Sequence, residues 1–182
     1  MVCPQFWLLA FSFGICGLTT SGLFQTHLIS HGVEHGFSEM TMALSLGLMG
    51  ATDILGTLLS GWLCDRFGKR WPLSVYYGFR GLSLLLLPYV ETSGQLMAFS
   101  FLYGLNWLST VPATSALTAD LFGKQNVGVV FGWISFSHQV GAAIASFGAG
   151  YLHQLAGDYN PAFILAGLFA FVATGLVVFI RD

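Results

Sequence analysis

A chain of 182 residues could bury a sizeable core, but this one is not composed for water: 55% of its residues are hydrophobic, 8% are charged and its mean hydropathy is +0.74. Soluble domains carry about a quarter charged residues, and six basic with eight acidic side chains cannot clothe a globule of this size. Most of the surface must therefore face lipid, and a net charge of −2 with no basic stripe argues against nucleic acid as a partner.

Six segments have the roughly 20 mostly apolar residues that a membrane helix needs. The first covers about 6–29; with no cationic region before it and no soluble domain after it, it reads as a span and not as a cleaved signal. The second covers 39–63 and is interrupted at Asp53, and the third covers 72–90 and is interrupted at Arg80. The fourth covers 95–118, the fifth 127–152 with His138 inside it, and the sixth 160–180. Gly and Pro recur within these spans, as membrane helices allow. The runs lack the alternation of barrel strands, which excludes a β-barrel. Cys3, Cys16 and Cys64 have no metal or redox spacing and read as small apolar helix residues.

The connecting loops differ in charge. Arg66, Lys69 and Arg70 follow the second span, Lys124 follows the fourth and Arg181 follows the sixth. The loops at 30–38, 91–94 and 153–159 hold no Lys or Arg. Positive charge marks the cytoplasmic side, so both termini are expected there. A weak internal repeat accompanies this topology. Gly47, Asp53 and Gly56 in the second span share their spacing with Gly132, His138 and Gly141 in the fifth. Three spans separate the two sets, so the repeats would have inverted topology, a construction typical of secondary transporters.

The basic residues after the second span lie in an ordered motif, Gly61-Trp-Leu63-Cys-Asp65-Arg66-Phe-Gly68-Lys69-Arg70. It resembles the G-x-L-x-D-R-x-G-[RK]-[RK] signature of the major facilitator superfamily, which lies in the cytoplasmic loop between helices two and three of each six-helix half. Physically, Gly61 permits close helix approach and Asp65 can hold Arg66 or reach amides of a neighbouring helix. Gly68 supplies a tight turn, while Lys69 and Arg70 anchor the hairpin at an anionic leaflet. The resemblance implies a conformational latch rather than a substrate site.

Two further stretches, "FWLLAFSFGICGLTTSGLFQTHLISHGVEHGFS" and "ADLFGKQNVGVVFGWISFSHQVGAAIASFGAGYLHQLAGDYNPAFILAG", resemble the seventh helix and the eleventh and twelfth helices of bacterial monocarboxylate-porter-like members. The resemblance covers essentially the whole chain but only the C-terminal half of a twelve-helix protein. The chain is thus expected to be a fragment, a split-gene product or a half that must pair.

Ionisable residues inside the spans are candidates for function, since each costs at least about 2.5–3.5 kcal/mol in the bilayer centre unless paired or hydrated. Asp53 lies about 18 Å and Arg80 about 12 Å from the basic loop at 1.5 Å per residue, near enough for a structural Asp53–Arg80 pair. Alternatively, either binds an anionic substrate or relays a proton. His138, with Gln139, suits proton coupling because its ordinary pKa lies near physiological pH; the alternative is a histidine hydrogen-bonded in the helix packing. The family's architecture puts helices one and four of a half along the path, which adds Asn106 and Tyr103 as cavity candidates. It makes helix three peripheral, favouring a structural Arg80, and turns helix two toward the other half, favouring a functional Asp53. His27, His31 and His35 recur every four residues, but Gly32 and Gly36 are expected to end the helix, and the histidines read as water-exposed and not metal-binding.

The expectation is an all-α integral membrane protein with a single domain over 1–182, its six transmembrane helices forming two inverted three-helix repeats. By resemblance it is the C-terminal half of a secondary transporter for a small organic anion such as a monocarboxylate, with alternating access and proton coupling. It needs no cofactor or metal and is not an enzyme. Its partners would be the bilayer, a small-molecule substrate, and an N-terminal six-helix half or a second copy, in a bacterial inner membrane. The alternatives are efflux or uptake of another small solute, and a non-transporting interaction or assembly subunit.

Overall fold

The computed structural model describes residues 4–180, and every regular element in them is helical. Cys3 and Arg181 lie outside the described residues. α1 (Pro4–Gly17) passes through a π-helical segment (Leu18–Phe24) into α2 (Gln25–Glu34). α3 (Glu39–Phe67) follows, then α4 (Arg70–Leu86), which ends in a 3₁₀ turn at Leu87–Tyr89. α5 (Ser93–Gly104), α6 (Thr110–Phe122), α7 (Val127–Ala156) and α8 (Asn160–Val178) complete the order.

Four stretches are long and apolar enough to cross a membrane: Pro4–Glu34, Glu39–Phe67, Lys124–Ala156 and Asn160–Val178. They match the first, second, fifth and sixth expected spans, and they place the protein in the bilayer. Their outward faces carry Ile54, Leu55 and Leu58 on α3, and Trp133, Phe136 and Ile144 on α7, all exposed. The third expected span corresponds to α4. The fourth does not form one helix over 95–118: the α-helix stops at Gly104 and resumes at Thr110. Pro112 gives the reason. Its ring lacks an N–H and would clash with the carbonyl four residues back, at Leu108, so the chain re-enters helix with proline in the first turn.

The helices pair through small residues. A Cβ at Gly17 would overlap the His138 carbonyl, one at Gly22 the Ala142 carbonyl, and one at Gly141 the Gly14 carbonyl, so α1 and its π segment lie backbone to backbone on α7. Gly56 meets the Leu105 carbonyl and Gly104 meets Thr52, which binds α3 to α5 and the break after it. Gly81 and Gly167 approach each other, with Ala162, Ala166, Ala170 and Ala173 buried along α8, which packs on α4. Close backbone approach of this kind holds membrane helices together by van der Waals contact in the absence of a hydrophobic drive. The repeat glycines divide accordingly. Gly56 and Gly141 are contact points, whereas a Cβ at Gly47 or Gly132 would meet nothing within 4 Å.

The two ends of the bundle differ as the loop charges do. At one end Lys69 bridges Asp120 at 2.8 Å and Arg70 donates to the Ile180 carbonyl at 2.9 Å. At the other, His153 bridges Glu34 at 2.8 Å and stacks on Tyr159. Gly68, at φ 78°, makes the turn between α3 and α4 as expected. At Gly61 a Cβ would meet no other part of the described chain within 4 Å. Helix α2 also runs through Gly32 and ends only before Gly36, at φ 85°.

Gly141→Leu is expected to destabilise the purified protein by about 1–3 kcal/mol or more, the cost of overpacking. Gly132→Leu should be neutral. Thermal unfolding midpoints in detergent compare the two.

Candidate functional site

A helix interrupted inside a membrane protein frees backbone groups that lipid cannot satisfy, so each needs a partner from the protein. Around the break at 105–109 the partners are identifiable. Ser109 Oγ donates to the Leu105 carbonyl at 2.8 Å, and Ser60 Oγ on α3 donates to the Ser109 carbonyl at 2.8 Å. The Leu108 carbonyl accepts from the Val111 amide. Arg80 Nη2 on α4 donates to the carbonyls of Asn106 and Trp107 at 3.1 and 2.8 Å. Asp53 Oδ1 on α3 accepts from the Leu108 amide at 2.8 Å.

Both charges bind backbone of the connection, between the C-cap Leu105 and the N-cap Ser109. Arg80 sits at the carbonyls that follow α5, and Asp53 at the amide that precedes α6. The direct Asp53–Arg80 pair allowed by their depths is therefore not formed: both charges are spent on the backbone between them. Arg80 is fully buried, and its Nη1 donates to Cys16 Sγ at 2.9 Å. Cys16 also lies 3.3 Å from Thr110 Oγ1 and close to the His138 side chain. A guanidinium stays charged in any protein environment, so three neutral or polarisable acceptors carry this buried cation.

The other candidates distribute around this cluster. Asn106 is buried and its side-chain amide donates to the Tyr76 carbonyl at 2.8 Å. Tyr103 is buried, with its ring stacked on Phe24 at 4.1 Å. His138 is half-buried against the Phe13 ring, 4.8 Å away. Gln139 is exposed on α7 and makes none of the hydrogen bonds described around the break. Asp53 is half-buried and lines a groove of about 460 Å³ with Thr57, Leu58, Leu108 and Pro112. Sequence reasoning missed Cys16, Ser60, Ser109 and Thr110. The available signal was Pro112 seventeen residues into an expected span, which demands a break and therefore polar side chains facing it.

In the motif loop, Asp65 is exposed, and the carboxylate that engages the loop is Asp120, at the end of α6. The Asp120 hydrogen bond holds the Lys69 ammonium above the ordinary lysine range. A raised pKa means that the bridge's contribution is present at neutral pH and is lost as pH rises through that raised value. Arg66 stacks over Trp62 and Phe67, and Arg70 over Trp71. The histidines of α2 are only partly water-exposed. His31 is buried beside Phe163, a correction that follows from α2 continuing past Gly32, and His27 Nε2 lies 3.1 Å from the Ser146 carbonyl. No group of three or more potential metal ligands gathers among the described residues.

Residues 6–182 match the model of the Major Facilitator Superfamily. The chain is 29% identical to monocarboxylate transporter 12-B of Danio rerio, covering 98% of this chain and 38% of that protein. It is 30% identical to monocarboxylate transporter 12 of Xenopus laevis, covering 98% and 40%. It is also 30% identical to the uncharacterized MFS-type transporter YcxA of Bacillus subtilis (strain 168), covering 94% and 42%. The chain thus spans about two fifths of the length of these relatives.

Replacing Arg80 with Met removes the donors to two buried carbonyls, each worth about 1–3 kcal/mol when orphaned. A large loss of stability is expected. Asp53→Asn keeps an acceptor oxygen and should cost under about 1 kcal/mol, whereas Asp53→Ala should cost more. Detergent unfolding curves of the three variants test this ordering.

Proposed function

The chain belongs to the major facilitator superfamily, and on that premise we propose that it is one six-crossing half of a secondary transporter. It works by alternating access on a small organic anion and couples that movement to protons. The substrate class follows the similarity to proteins named monocarboxylate transporters. The half-length match supports an N-terminal six-helix half, or a second copy, as the partner that completes the central cavity.

In this reading α4 and the interrupted α5–α6 stretch also cross the bilayer, giving six crossings in two inverted repeats. The pairing of helices supports it. Exchanging crossings one, two and three with four, five and six carries the α1–α7 pair onto the α5–α3 pair and returns the α4–α8 pair to itself. The contact glycines obey the same exchange: Gly141 of crossing five rests on the backbone of crossing one, and Gly56 of crossing two on that of crossing four. The basic end is the cytoplasmic one, in a plasma membrane. There the motif loop acts as a latch through Lys69 and Asp120, and Gly61 is left open for a surface outside this chain.

The observation that carries the reading is the polar break, a discontinuous helix of the kind on which transporters build their midplane sites. Asp53 holds the Leu108 amide in the break and lines an accessible groove. Protonation would weaken that hydrogen bond, so Asp53 is the coupling group, with His138 beside Cys16 as a second. Arg80, fully buried and occupied by carbonyls, acts as the clamp of the break rather than as the substrate's counter-ion. Asn106 and Tyr103 shape the wall of the path, and Gln139 faces outward from it.

The test is uptake into proteoliposomes that hold this chain with an N-terminal half, under an imposed inward proton gradient. Gradient-driven uptake of small monocarboxylates is expected, with neutral solutes excluded. Asp53→Asn should lower driven uptake at least tenfold yet preserve exchange of substrate across a membrane without a gradient. Wild-type uptake indifferent to the gradient would overturn the coupling, and equal uptake of neutral solutes would overturn the substrate class.

A further inference from the structure

The turn between α3 and α4 leaves an apolar groove of about 360 Å³ lined by Leu63, Phe67, Trp71, Pro72, Val75 and Tyr76. Phe67, Trp71 and Val75 are exposed, as are Trp62 and Arg66 nearby. Two guanidinium groups lie at its rim. The Arg66 carbon is 5.8 Å from the Phe67 ring centre and 5.5 Å from that of Trp62, and the Arg70 carbon is 5.2 Å from that of Trp71. These stackings fix both cations over the rings that form the groove wall, within cation–π range.

We propose that this groove binds one anionic phospholipid, its acyl chain along the α3–α4 wall and its phosphate on Arg66. Charge complementarity selects the occupant. The groove is almost wholly apolar, so it suits a hydrocarbon chain, while a free anion would find donors only at the rim. Lys69, the third cation of the turn, points to Asp120, and Asp65 is the acidic neighbour within the turn. Arg70 is committed to the Ile180 carbonyl, so Arg66 is the headgroup ligand. Aromatic rings and arginines at one depth are the usual composition of a membrane–water boundary. Here they surround a groove of definite shape, which turns a general interfacial preference into a site. The proposal requires the chain to lie in a bilayer and does not depend on transport.

The chain is reconstituted in phosphatidylcholine vesicles containing increasing brominated phosphatidylglycerol, or brominated phosphatidylcholine as the control. Quenching at Trp71 is read as the difference between wild type and Trp71→Phe. Half-quenching is expected at a severalfold lower fraction of the anionic lipid. Arg66→Gln should cut that preference roughly fivefold, the factor corresponding to about 1 kcal/mol per basic residue at an anionic surface, and Arg66→Lys should retain much of it. Val75→Phe, which fills the groove, should weaken quenching by both lipids. Equal quenching by the two lipids in the wild type would overturn the site. So would a preference that Arg66→Gln leaves unchanged, or one abolished by millimolar glycerol phosphate in solution, which would make it a site for free anions. If Val75→Phe does not fold, the Arg66 variants still decide the question.

Discussion

A full positive charge has been taken out of both water and lipid headgroups at Arg80, and much of the surrounding structure answers to it. An unpaired buried charge is far too costly to keep, and among the described residues no carboxylate forms a direct ion pair with this one. Its partners are two carbonyls released by a broken helix and a thiol from the first span. The break needs the cation as much as the cation needs the break, because carbonyls at this depth have no water to turn to. Remove either and the other becomes an error in the fold. Arg80 joins α1, α4 and the α5–α6 connection at one point, which makes the bundle a single object instead of a set of adjacent helices.

Asp53 completes this arrangement from the opposite direction. It holds the Leu108 amide, so both charges are engaged by backbone of the connection between α5 and α6. The difference in surroundings separates two residues that look alike in sequence, each a lone charge in an apolar span. Arg80 is sealed in protein, while Asp53 opens on a groove. One is closed off by its neighbours, the other is not.

Much of this was legible in advance. Apolar run length located the long helices, loop charge sorted the two ends of the bundle, and Gly68 marked its turn. The depths of Asp53 and Arg80 correctly placed them near a common level. What the depths could not supply was the partner. Pairing opposite charges is the natural inference when only side chains are counted, and here the backbone supplied the acceptors and the donor. The unbroken 95–118 span had the same origin: hydropathy is blind to Pro112, whose effect is stereochemical. Cys16 looked inert because a small apolar residue and a soft acceptor for a guanidinium are the same letter. Gly32 was read as a terminator, since spacing alone does not say which glycines end a helix and which touch a neighbour.

The glycine contacts also bear on how the protein is made. The partner of α1 is α7, separated from it by more than a hundred residues, and no nearer helix meets the backbone at Gly14, Gly17 and Gly22 in the same way. During synthesis α1, with its grooved face and its π segment, must therefore wait for α7 while the helices between them are made. The cation on α4 likewise arrives before the carbonyls that neutralise it. The packing of α1 in this bundle is consequently completed only once α7 has entered, since a contact distant in sequence cannot form before its second partner is made.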